Sequence, residues 1–524
     1  MTQASPISGY ESWTGAPLLE DPALERRRLR SDTALALSLV AVLICAGIAF
    51  SFATRPIWFE YTFSYRVSWV YVPIAFVSIL FLAPWRFPVA AAIYYGYLPI
   101  GQPSHAHHFL AGDASAALTF EMVLALPLVV AGLLGGSGQS PRRPTATTIQ
   151  VALWGFVGAG FVAALLSGAP GVCLTAWTSR FLIPALVTLV LIRRLRSVEE
   201  YRTVWYGLVT GLTAVCVFDY RRAVLGEVDA YVDISQRYIG LSQSVAIPLL
   251  FILGGALWLS LAQARRGRAL LSIAWLAMFA AVVALAWLGA SRGALAGLLL
   301  LGVWWLPNVV KHLHRPSILI MVLVGGLVGL YLVRDALTRT TLDVNLAVER
   351  LRELEAGGLL GHNRAAIWAE GLRLWSQQPL FGRGPNFWVT LNTGLESVHG
   401  TWIGLLFDTG LLGTAAFVAL AIAALRTARR SALQHLSDLD RTFVLGCRAG
   451  WVVMLLILCT NLPFTSGQPR NHIHAYVVFL FPALALVACQ NQPRPAVSPA
   501  PTPGPLLPPS IAGTAHPRPA DFMP

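Results

Sequence analysis

Apolar stretches of roughly 15–25 residues recur along the chain, and short polar segments separate them. A helix of about 20 residues crosses the ~30 Å hydrocarbon layer of a membrane with all its backbone hydrogen bonds satisfied internally. We therefore expect an all-α integral membrane protein with about 14 transmembrane helices (12–14), of which the third is the shortest. The predicted spans lie near residues 33–53, 67–84, 87–101, 114–134, 147–167, 176–192, 203–218, 240–262, 269–288, 293–309, 316–333, 401–425, 443–462 and 473–490.

Charged residues concentrate between these spans, and Lys311 is the only lysine among the basic ones. Cytoplasmic loops of membrane proteins carry an excess of basic residues. With a cytoplasmic N terminus, the basic clusters all fall in loops on the inside, as this rule requires. They are Arg142 and Arg143; Arg193, Arg194 and Arg196; Arg265, Arg266 and Arg268; Lys311 and Arg315; and Arg426, Arg429 and Arg430.

The alternation divides the chain into five segments. Residues 1–31 form a cytoplasmic arm, 32–333 the first part of the bundle, 334–400 a large outside loop, 401–490 the last part of the bundle, and 491–524 a proline-rich cytoplasmic tail. A tail of this composition cannot bury enough apolar surface to fold, so we expect it to be disordered. A connection as long as the outside loop is usually functional.

The composition agrees with a membrane location and argues against nucleic-acid binding. Hydrophobic residues make up 56% of the chain and charged residues 12%, with a mean hydropathy of +0.63. Soluble domains carry about 25% charged residues. The net charge of +13 is distributed over the loops between spans, as the membrane rule explains, and it forms no nucleic-acid surface.

The outside loop has a helical pattern of its own. The segment NLAVERLRELEA has helical spacing and stops at Gly357 and Gly358. The segment NRAAIWAEGLRLWSQQ follows, and PLFGRGP breaks it. One face of this second helix carries Ile367, Trp368, Leu372 and Trp375. We expect the loop to form a small helical cap over the outer mouth of the bundle.

Ionisable residues on the outside run against the charge rule and are the candidate site. They are Arg180, Arg237, Arg292, Arg364, Arg470 and His399. Arg180 falls within the outer half of a span, where a buried guanidinium needs an anionic partner. Taken singly, such arginines are equally explained by snorkelling to lipid headgroups or pairing with loop carboxylates, and a loop histidine by a bond to backbone. As a set, guanidinium forks suit a lipid phosphate or diphosphate, and the histidine can move a proton.

Metal and cofactor chemistry have little support in the sequence. The outside loops contain no DxD pair and no HExxH motif. The HAHH run at 105–108 could bind zinc, but no carboxylate or cysteine pattern accompanies it. GxGxxG is absent as well, and GxSxG occurs only as GASRG at 289–293, in a turn between two predicted spans and not in a strand-to-helix turn. We expect neither a nucleotide site nor a serine nucleophile. We predict that the protein uses no metal and no cofactor.

Three stretches together resemble the bacterial O-antigen ligase and O-antigen polymerase family. They are GASRGALAGLLL, NRAAIWAEGLRLWSQQPLFGRGPNFW and HGTWIGLLFDTGLLGTAAFV, and they lie within residues 235 to 425. Many family members have asparagine after the histidine, where this chain has Gly400 and then Thr401. The matching positions are Ser291 to Gly293, Arg364 to Trp368, Pro379 with Gly382 and Gly384, His399, and Gly410 to Gly413.

The resemblance implies a metal-independent glycosyl transfer on the periplasmic side of the inner (cytoplasmic) membrane. The donor is then a glycan on undecaprenyl diphosphate, held among membrane lipids. A ligase uses a sugar hydroxyl of the lipid A core as acceptor, and a polymerase uses another lipid-linked glycan. In this scheme His399 takes the acceptor proton while Arg292 and Arg364 hold the diphosphate. Arg237, Arg180 and Arg470 are further candidate diphosphate contacts.

The motifs leave several functions open. Ligase and polymerase share the donor and the motif order, and some relatives attach glycans to proteins. A polysaccharide transporter or flippase is a further alternative, which predicts charges near mid-membrane and repeated halves. A non-catalytic scaffold is the last alternative, and its loop would tolerate loss of His399.

Overall fold

A computed structural model describes residues 22–53, 63–101, 120–134, 144–224, 243–288, 292–339, 361–391, 400–459 and 472–490. Within these ranges the regular elements are helices, and no strand is present. The α-helices are α1 (Pro22–Ala53), α2 (Phe63–Leu82), α3 (Phe87–Gly101), α4 (Phe120–Leu134), α5 (Pro144–Leu165), α6 (Pro170–Trp177), α7 (Ile183–Arg194), α8 (Val198–Val224), α9 (Gln243–Arg265), α10 (Ala269–Leu288), α11 (Arg292–Val310), α12 (Pro316–Arg339), α13 (Gly361–Trp375), α14 (Thr401–Thr427), α15 (Asp438–Leu458) and α16 (His472–Gln490).

The helices confirm the all-α fold class. Each predicted span falls on one of them, and the sixth span is a composite of α6, a π-helical turn at Thr178–Leu182, and α7. The helix α1 begins at Pro22, inside the segment predicted as a polar arm. Among the residues that the structure describes, six helical segments are long and apolar enough to cross a membrane: Arg27–Phe50, Thr147–Leu165, Pro170–Arg194, Gly293–Val310, Thr401–Thr427 and Asp438–Leu458. Shorter apolar helices accompany them, and the number of crossings stays a prediction.

The outer surface of the bundle carries many large apolar side chains. Leu134 is 81% exposed and Phe81 is 71% exposed, and many other large apolar side chains on the helices also face outward. Exposed apolar surface on this scale suits contact with lipid chains and not with water. The interior is built around α3 and α16, which are buried on nearly all sides, as helices that are apolar all round should be.

Glycines allow the central helices to approach closely. Gly207 and Gly211 on α8 face the backbone of Ala92 and Gly96 on α3, where any Cβ would collide with a carbonyl oxygen. Helices α9 and α15 meet in the same manner at Gly254. Small residues spaced four apart are the usual means of close helix packing in membranes, where lipid supplies no hydrophobic driving force.

Arginines at the start of α8, at the end of α9 and before α12 meet the start of α15 at one end of the bundle, here called the basic end. Arg202 of α8 pairs with Asp440 at the start of α15, with 2.8 Å between nitrogen and oxygen. Arg265 at the end of α9 lies 3.5 Å from the carboxylate of Asp438, and Arg315 before α12 donates to the carbonyl of Arg265. These turns are ones that the charge rule assigns to a single side. The structure therefore brings them together as the predicted alternation requires.

The helix α13 lies at the opposite end, here called the cap end, and confirms the second helix predicted in the long loop. Ile367 is buried in a small cluster with Trp388 and Phe407, and Trp368 packs against it. The predicted apolar face is only partly used, because Leu372 is 40% exposed. The predicted helix at 345–356, the HAHH run and the proline-rich tail lie outside the described residues.

Candidate functional site

The structure describes the predicted site residues to different extents. Arg292 is the first residue of α11 and Arg364 is the fourth of α13, and only their backbone positions are described. Arg180 lies in the π-helical turn and is described in full. The remaining three predicted residues lie outside the described ranges: His399, Arg237 and Arg470.

The helix α14 is broken at Gly410, where φ is 65° and ψ is −166°. The two carbonyls that precede the break accept hydrogen bonds from the segment that follows α13. The Arg383 N–H donates to the Phe407 carbonyl at 2.6 Å, and the Gly384 N–H donates to the Asp408 carbonyl at 3.1 Å. The first half of α14 thus ends on the loop backbone.

The second half of α14 begins on the same loop segment. The Leu411 N–H donates to the Pro379 carbonyl at 2.9 Å, and the Leu412 N–H donates to the Leu380 carbonyl at 3.2 Å. A broken helix is tolerated at membrane depth only where its freed backbone groups find partners within the protein. The segment 379–384 supplies these partners on both sides of the break. Two of the sequence motifs, PLFGRG and GLLG, are therefore in direct backbone contact.

Glycine is required where the two motifs meet. Gly382 and Gly410 both have positive φ, at 74° and 65°. A Cβ on Gly382 would stand 2.7 Å from the backbone nitrogen of Gly410, and a Cβ on Gly410 would stand 2.6 Å from that of Gly382. L-residues rarely adopt this backbone region, and the nearby backbone cannot move aside. The contact therefore depends on the absence of a side chain at both Gly382 and Gly410.

The entrance of α14 is held between α13 and the end of α15. Gly400 has a φ of 117°, and a Cβ there would lie 3.1 Å from both the Trp368 indole nitrogen and the Cys459 carbonyl. The Trp402 indole N–H lies 2.8 Å from the Cys459 Sγ. The chain position that follows His399 is thus fixed by two aromatic side chains and a helix terminus.

A buried group of ionisable side chains lies next to the break. Arg180 is 1% exposed, and Asp408 is the first of its electrostatic neighbours, followed by Tyr476 and Glu121. Asp408 and Glu121 are themselves only 4% and 2% exposed. Buried carboxylates thus belong to the electrostatic surroundings of this guanidinium. The role of Arg180 as a diphosphate contact stays a prediction.

Asp408 and Glu121 were missed among the candidate residues predicted from the sequence. Each stands in an apolar run, in FDTG and FEMV, and an acidic residue within a span is a functional signal. Because the sequence search concentrated on basic residues outside, it passed over them.

Four polar side-chain atoms near the cap end are buried without a hydrogen-bond partner in the described structure. They are the Trp388 Nε1, the Asn386 Oδ1, the Gln378 Oε1 and the Thr401 Oγ1. Trp388 is 3% exposed and Thr401 is 1% exposed. Buried polar groups are normally paired, so unpaired ones indicate a site for a polar ligand or for ordered water. An indole N–H, an amide oxygen and a hydroxyl are groups that bind sugar hydroxyls.

Comparison with known proteins assigns no family to the chain. No protein-family model matches it, and no curated protein matches it significantly. The function has to be inferred from the motifs and from the arrangement of the residues themselves.

Proposed function

We propose that this protein moves a glycan from undecaprenyl diphosphate to a sugar hydroxyl of the lipid A core, on the periplasmic side of the inner membrane. One observation carries the proposal. Two stretches of the ordered set, PLFGRG in the loop and FDTGLLG in the following span, pair through four backbone hydrogen bonds. Stretches that the resemblance treats as parts of one site are adjacent in the fold.

The proposed chemistry is a displacement at the anomeric carbon. The acceptor hydroxyl oxygen forms the new bond to that carbon, and the bond from carbon to the diphosphate oxygen breaks. The diphosphate leaves with the electron pair, and the acceptor proton passes to the neutral imidazole of His399. No metal enters this scheme, because the diphosphate is a good leaving group once its developing charge is offset.

The positions of the two arginines support a diphosphate site. Arg292 and Arg364 both lie in the first turn of a helix, at the starts of α11 and α13. The first turn of a helix carries a partial positive charge and unpaired backbone N–H groups, which favour anions. A guanidinium there adds a planar fork that matches two phosphate oxygens. Exposed apolar faces on the surrounding helices suit the lipid tail of the donor.

The transporter alternative gains support from one feature. Transporters use broken helices and buried charges for their substrates, and α14 is broken two residues after the buried Asp408. The two functions differ in their products, because a transferase forms a covalent glycan product and a transporter does not.

The test is a transfer assay with purified protein, lipid-linked donor and separate acceptors, with the product followed by gel mobility. We expect product with the lipid A core acceptor in the parent protein. In His399→Ala we expect a loss of about 10²–10⁴-fold, the typical contribution of a positioned general base. His314→Ala, in a turn at the basic end, is the matched control and should keep the parent rate.

Each other outcome of the assay contradicts the proposal in a defined way. Product with a lipid-linked glycan acceptor alone indicates a polymerase. Movement of donor across vesicles without any covalent product indicates a transporter. A well-folded His399→Ala protein that transfers glycan at the parent rate shows that the histidine is structural and the mechanism wrong.

A further inference from the structure

We propose that the protein holds an anionic phospholipid of the inner leaflet, with an acyl chain in an apolar groove between α11 and α12 and the phosphate against basic residues at the adjoining helix ends. The proposal does not rest on the glycan-transfer function. It follows from three features of the described structure: the shape of the groove, its position along the helices, and the positive charges at one end of it.

The groove has a volume of about 640 Å³ and lies among α9, α10, α11 and α12. This size is within the range of about 300–1,000 Å³ that is usual for small-molecule sites. Helix α12 packs mainly against α10, whereas α11 packs against α9 and α15, so a gap is left between α11 and α12. Apolar side chains line this gap, among them Leu295, Leu299, Val303 and Leu306 of α11 and Val322 of α12.

The groove is open toward the membrane and has room for a chain. Leu299 is 69% exposed and Val303 is 61% exposed, so the α11 side of the groove faces outward. A Cβ added at Gly302 or at Gly326, which also line the groove, would meet no atom within 4 Å. The indole N–H of Trp305 donates to the carbonyl of Leu257 at 2.9 Å, so this side chain needs no polar ligand. A hydrocarbon chain is therefore the kind of occupant that fits.

The groove lies next to the basic end of the bundle. On α11 its lining reaches Leu306, one turn before the helix ends at Val310. On α12 the lining begins at Val322, six residues after the helix starts at Pro316. At a rise of 1.5 Å per residue, these positions lie about 6 Å and about 9 Å from the helix ends. A lipid with an acyl chain in the groove therefore has its headgroup at the level of the turns of the basic end.

Basic residues surround that headgroup position. Arg268 precedes α10, Lys311 follows α11 and Arg315 precedes α12, and these three helices all line the groove. All three residues are exposed, and none of them forms an ion pair with a carboxylate in the part of the chain that the structure describes. Arg315 donates to the carbonyl of Arg265 at 3.4 Å, which joins the turns. Basic pockets between helices on the cytoplasmic side of membrane proteins bind the headgroups of anionic lipids.

The carboxylate of the neighbouring helix does not neutralise these charges. Asp438 of α15 pairs with Arg265 at 3.5 Å and with Arg441 at 3.0 Å. The pKa of His312, in the turn after α11, is lowered first by burial and then by the positive charges of Arg265 and Arg315. This turn therefore has a positive potential that a phosphate group would offset. The charge rule predicts that this end faces the cytoplasm, so the lipid belongs to the inner leaflet.

The lipid tail of the donor is the main alternative occupant. The groove also reaches Leu295, one turn after Arg292, where we propose that the donor diphosphate binds. Two observations favour the phospholipid instead. Helices α9 and α12 line the groove only from the halves nearest the basic end, and the three cations stand at that end.

Photoactivatable lipids can locate the occupant. Phosphatidylglycerol and phosphatidylcholine that carry the same diazirine in one acyl chain differ only in the headgroup. The full-length protein would be stripped of lipid, placed in neutral nanodiscs with increasing amounts of probe and irradiated, and the labelled peptides identified by mass spectrometry. We expect labelling at residues 295–306 and 322–326. Phosphatidylglycerol should be preferred by about 25-fold or more, since each basic residue near an anionic headgroup contributes a factor of about five.

A pair of charge variants tests the headgroup contacts. Arg268→Gln with Lys311→Gln should remove most of the preference for phosphatidylglycerol and leave labelling by phosphatidylcholine unchanged. Arg429→Gln with Arg430→Gln is the matched control. It also removes two exposed arginines, but they follow α14, which does not line the groove. This control should be labelled as the parent is.

A pair of glycine variants tests the groove. Gly302→Phe places a ring in open space, so it should fold and yet lower labelling at residues 295–306 by both probes. Gly158→Phe on α5 is the matched control, because a Cβ there also meets no atom within 4 Å and α5 does not line the groove. Phosphatidylglycerol should raise the midpoint of thermal unfolding of the parent and of Gly158→Phe, but not of Gly302→Phe, since a ligand of the folded state stabilises it.

Other outcomes would overturn the proposal. Equal labelling by the two probes, or an equal loss in the two arginine double variants, would show only a general attraction of lipid to a charged surface. Displacement of the phosphatidylglycerol probe by undecaprenyl phosphate but not by unlabelled phosphatidylglycerol would assign the groove to the donor tail. Cross-links between two chains through α11 would assign it to a second copy. None of these measurements requires glycan transfer, so this proposal and the proposed function can fail separately.

Discussion

The backbone N–H of Gly384 donates a 3.1 Å hydrogen bond to the carbonyl of Asp408, and so joins the cap to the interior of the bundle. Asp408 meets the loop through its backbone, and its side chain is buried among ionisable groups, with 4% of its surface exposed. The same residue thus belongs to two sets of contacts, one in the cap and one among the buried charges. A substitution on one side of α14 should therefore also alter the contacts on its other side.

Gly410→Ala should destabilise the protein strongly. The positive φ alone costs roughly 1–3 kcal/mol for a residue with a Cβ, and the new methyl group would meet the carbonyl of Leu380. Gly302→Ala on α11 is the control, because a Cβ there meets open space and a helical alanine is favoured over glycine by roughly 0.5–1 kcal/mol. Thermal unfolding in detergent should show a lower midpoint for the first variant and an equal or higher one for the second. An unchanged midpoint in Gly410→Ala would mean that the break is not required.

The sequence predicts the spans well because hydrophobic length is a local property. It does not predict the break at Gly410, since the residues on both sides of that glycine read as one apolar helix. The break depends on hydrogen bonds from residues 379–384, which the sequence shows only as a helix stop. In the same way, the sequence shows Asp408 only as an acidic residue within an apolar run, and its burial depends on how distant helices pack.

The orientation of the bundle is open to a direct test. We expect Gly357 and His399 to be outside, and Arg266 and Arg429 to be inside, because the basic clusters alternate with the spans. Single cysteines placed at these positions in a cysteine-free background should react with a membrane-impermeant thiol reagent in whole cells only at the first two. The reverse labelling pattern would show the opposite orientation of the bundle, with the proposed site outside the periplasm.

Glu200 should give the basic end a pH-dependent stability. Its carboxylate accepts the Arg196 N–H at 2.5 Å, but burial dominates and raises the pKa of Glu200 above its usual value of 4.5. The folded state therefore favours the neutral acid. The stabilisation of the folded state by the protonated Glu200 side chain is therefore complete below pH 4.5. It is lost as the pH rises from there through the raised pKa of Glu200 in the folded state.

Glu200→Gln should remove this dependence, since the amide is neutral at every pH. The stability of the variant relative to the parent should rise as the pH increases from about 4 and level off above the raised pKa. Glu370→Gln provides a control of opposite sign, because the hydrogen bond from Arg373 lowers the pKa of Glu370. Thermal unfolding across this range measures both. A stability difference between Glu200→Gln and the parent that does not vary with pH would contradict the raised pKa of Glu200.

Arg292 and Arg364 should behave as diphosphate contacts. Arg292→Lys keeps the charge but loses the planar fork, so transfer should fall substantially even though the helix start is unchanged. Arg364→Ala should lose about 10²–10³-fold in kcat, the typical cost of removing one preorganised donor, and should also weaken donor binding. Arg373→Ala is the matched control on the same helix, because that side chain is exposed and pairs with Glu370. Initial rates over a range of donor concentrations, with expression checked in parallel, separate these effects. Near-normal turnover in both Arg292→Lys and Arg364→Ala would place the donor diphosphate elsewhere, with Arg237 and Arg180 the next candidates.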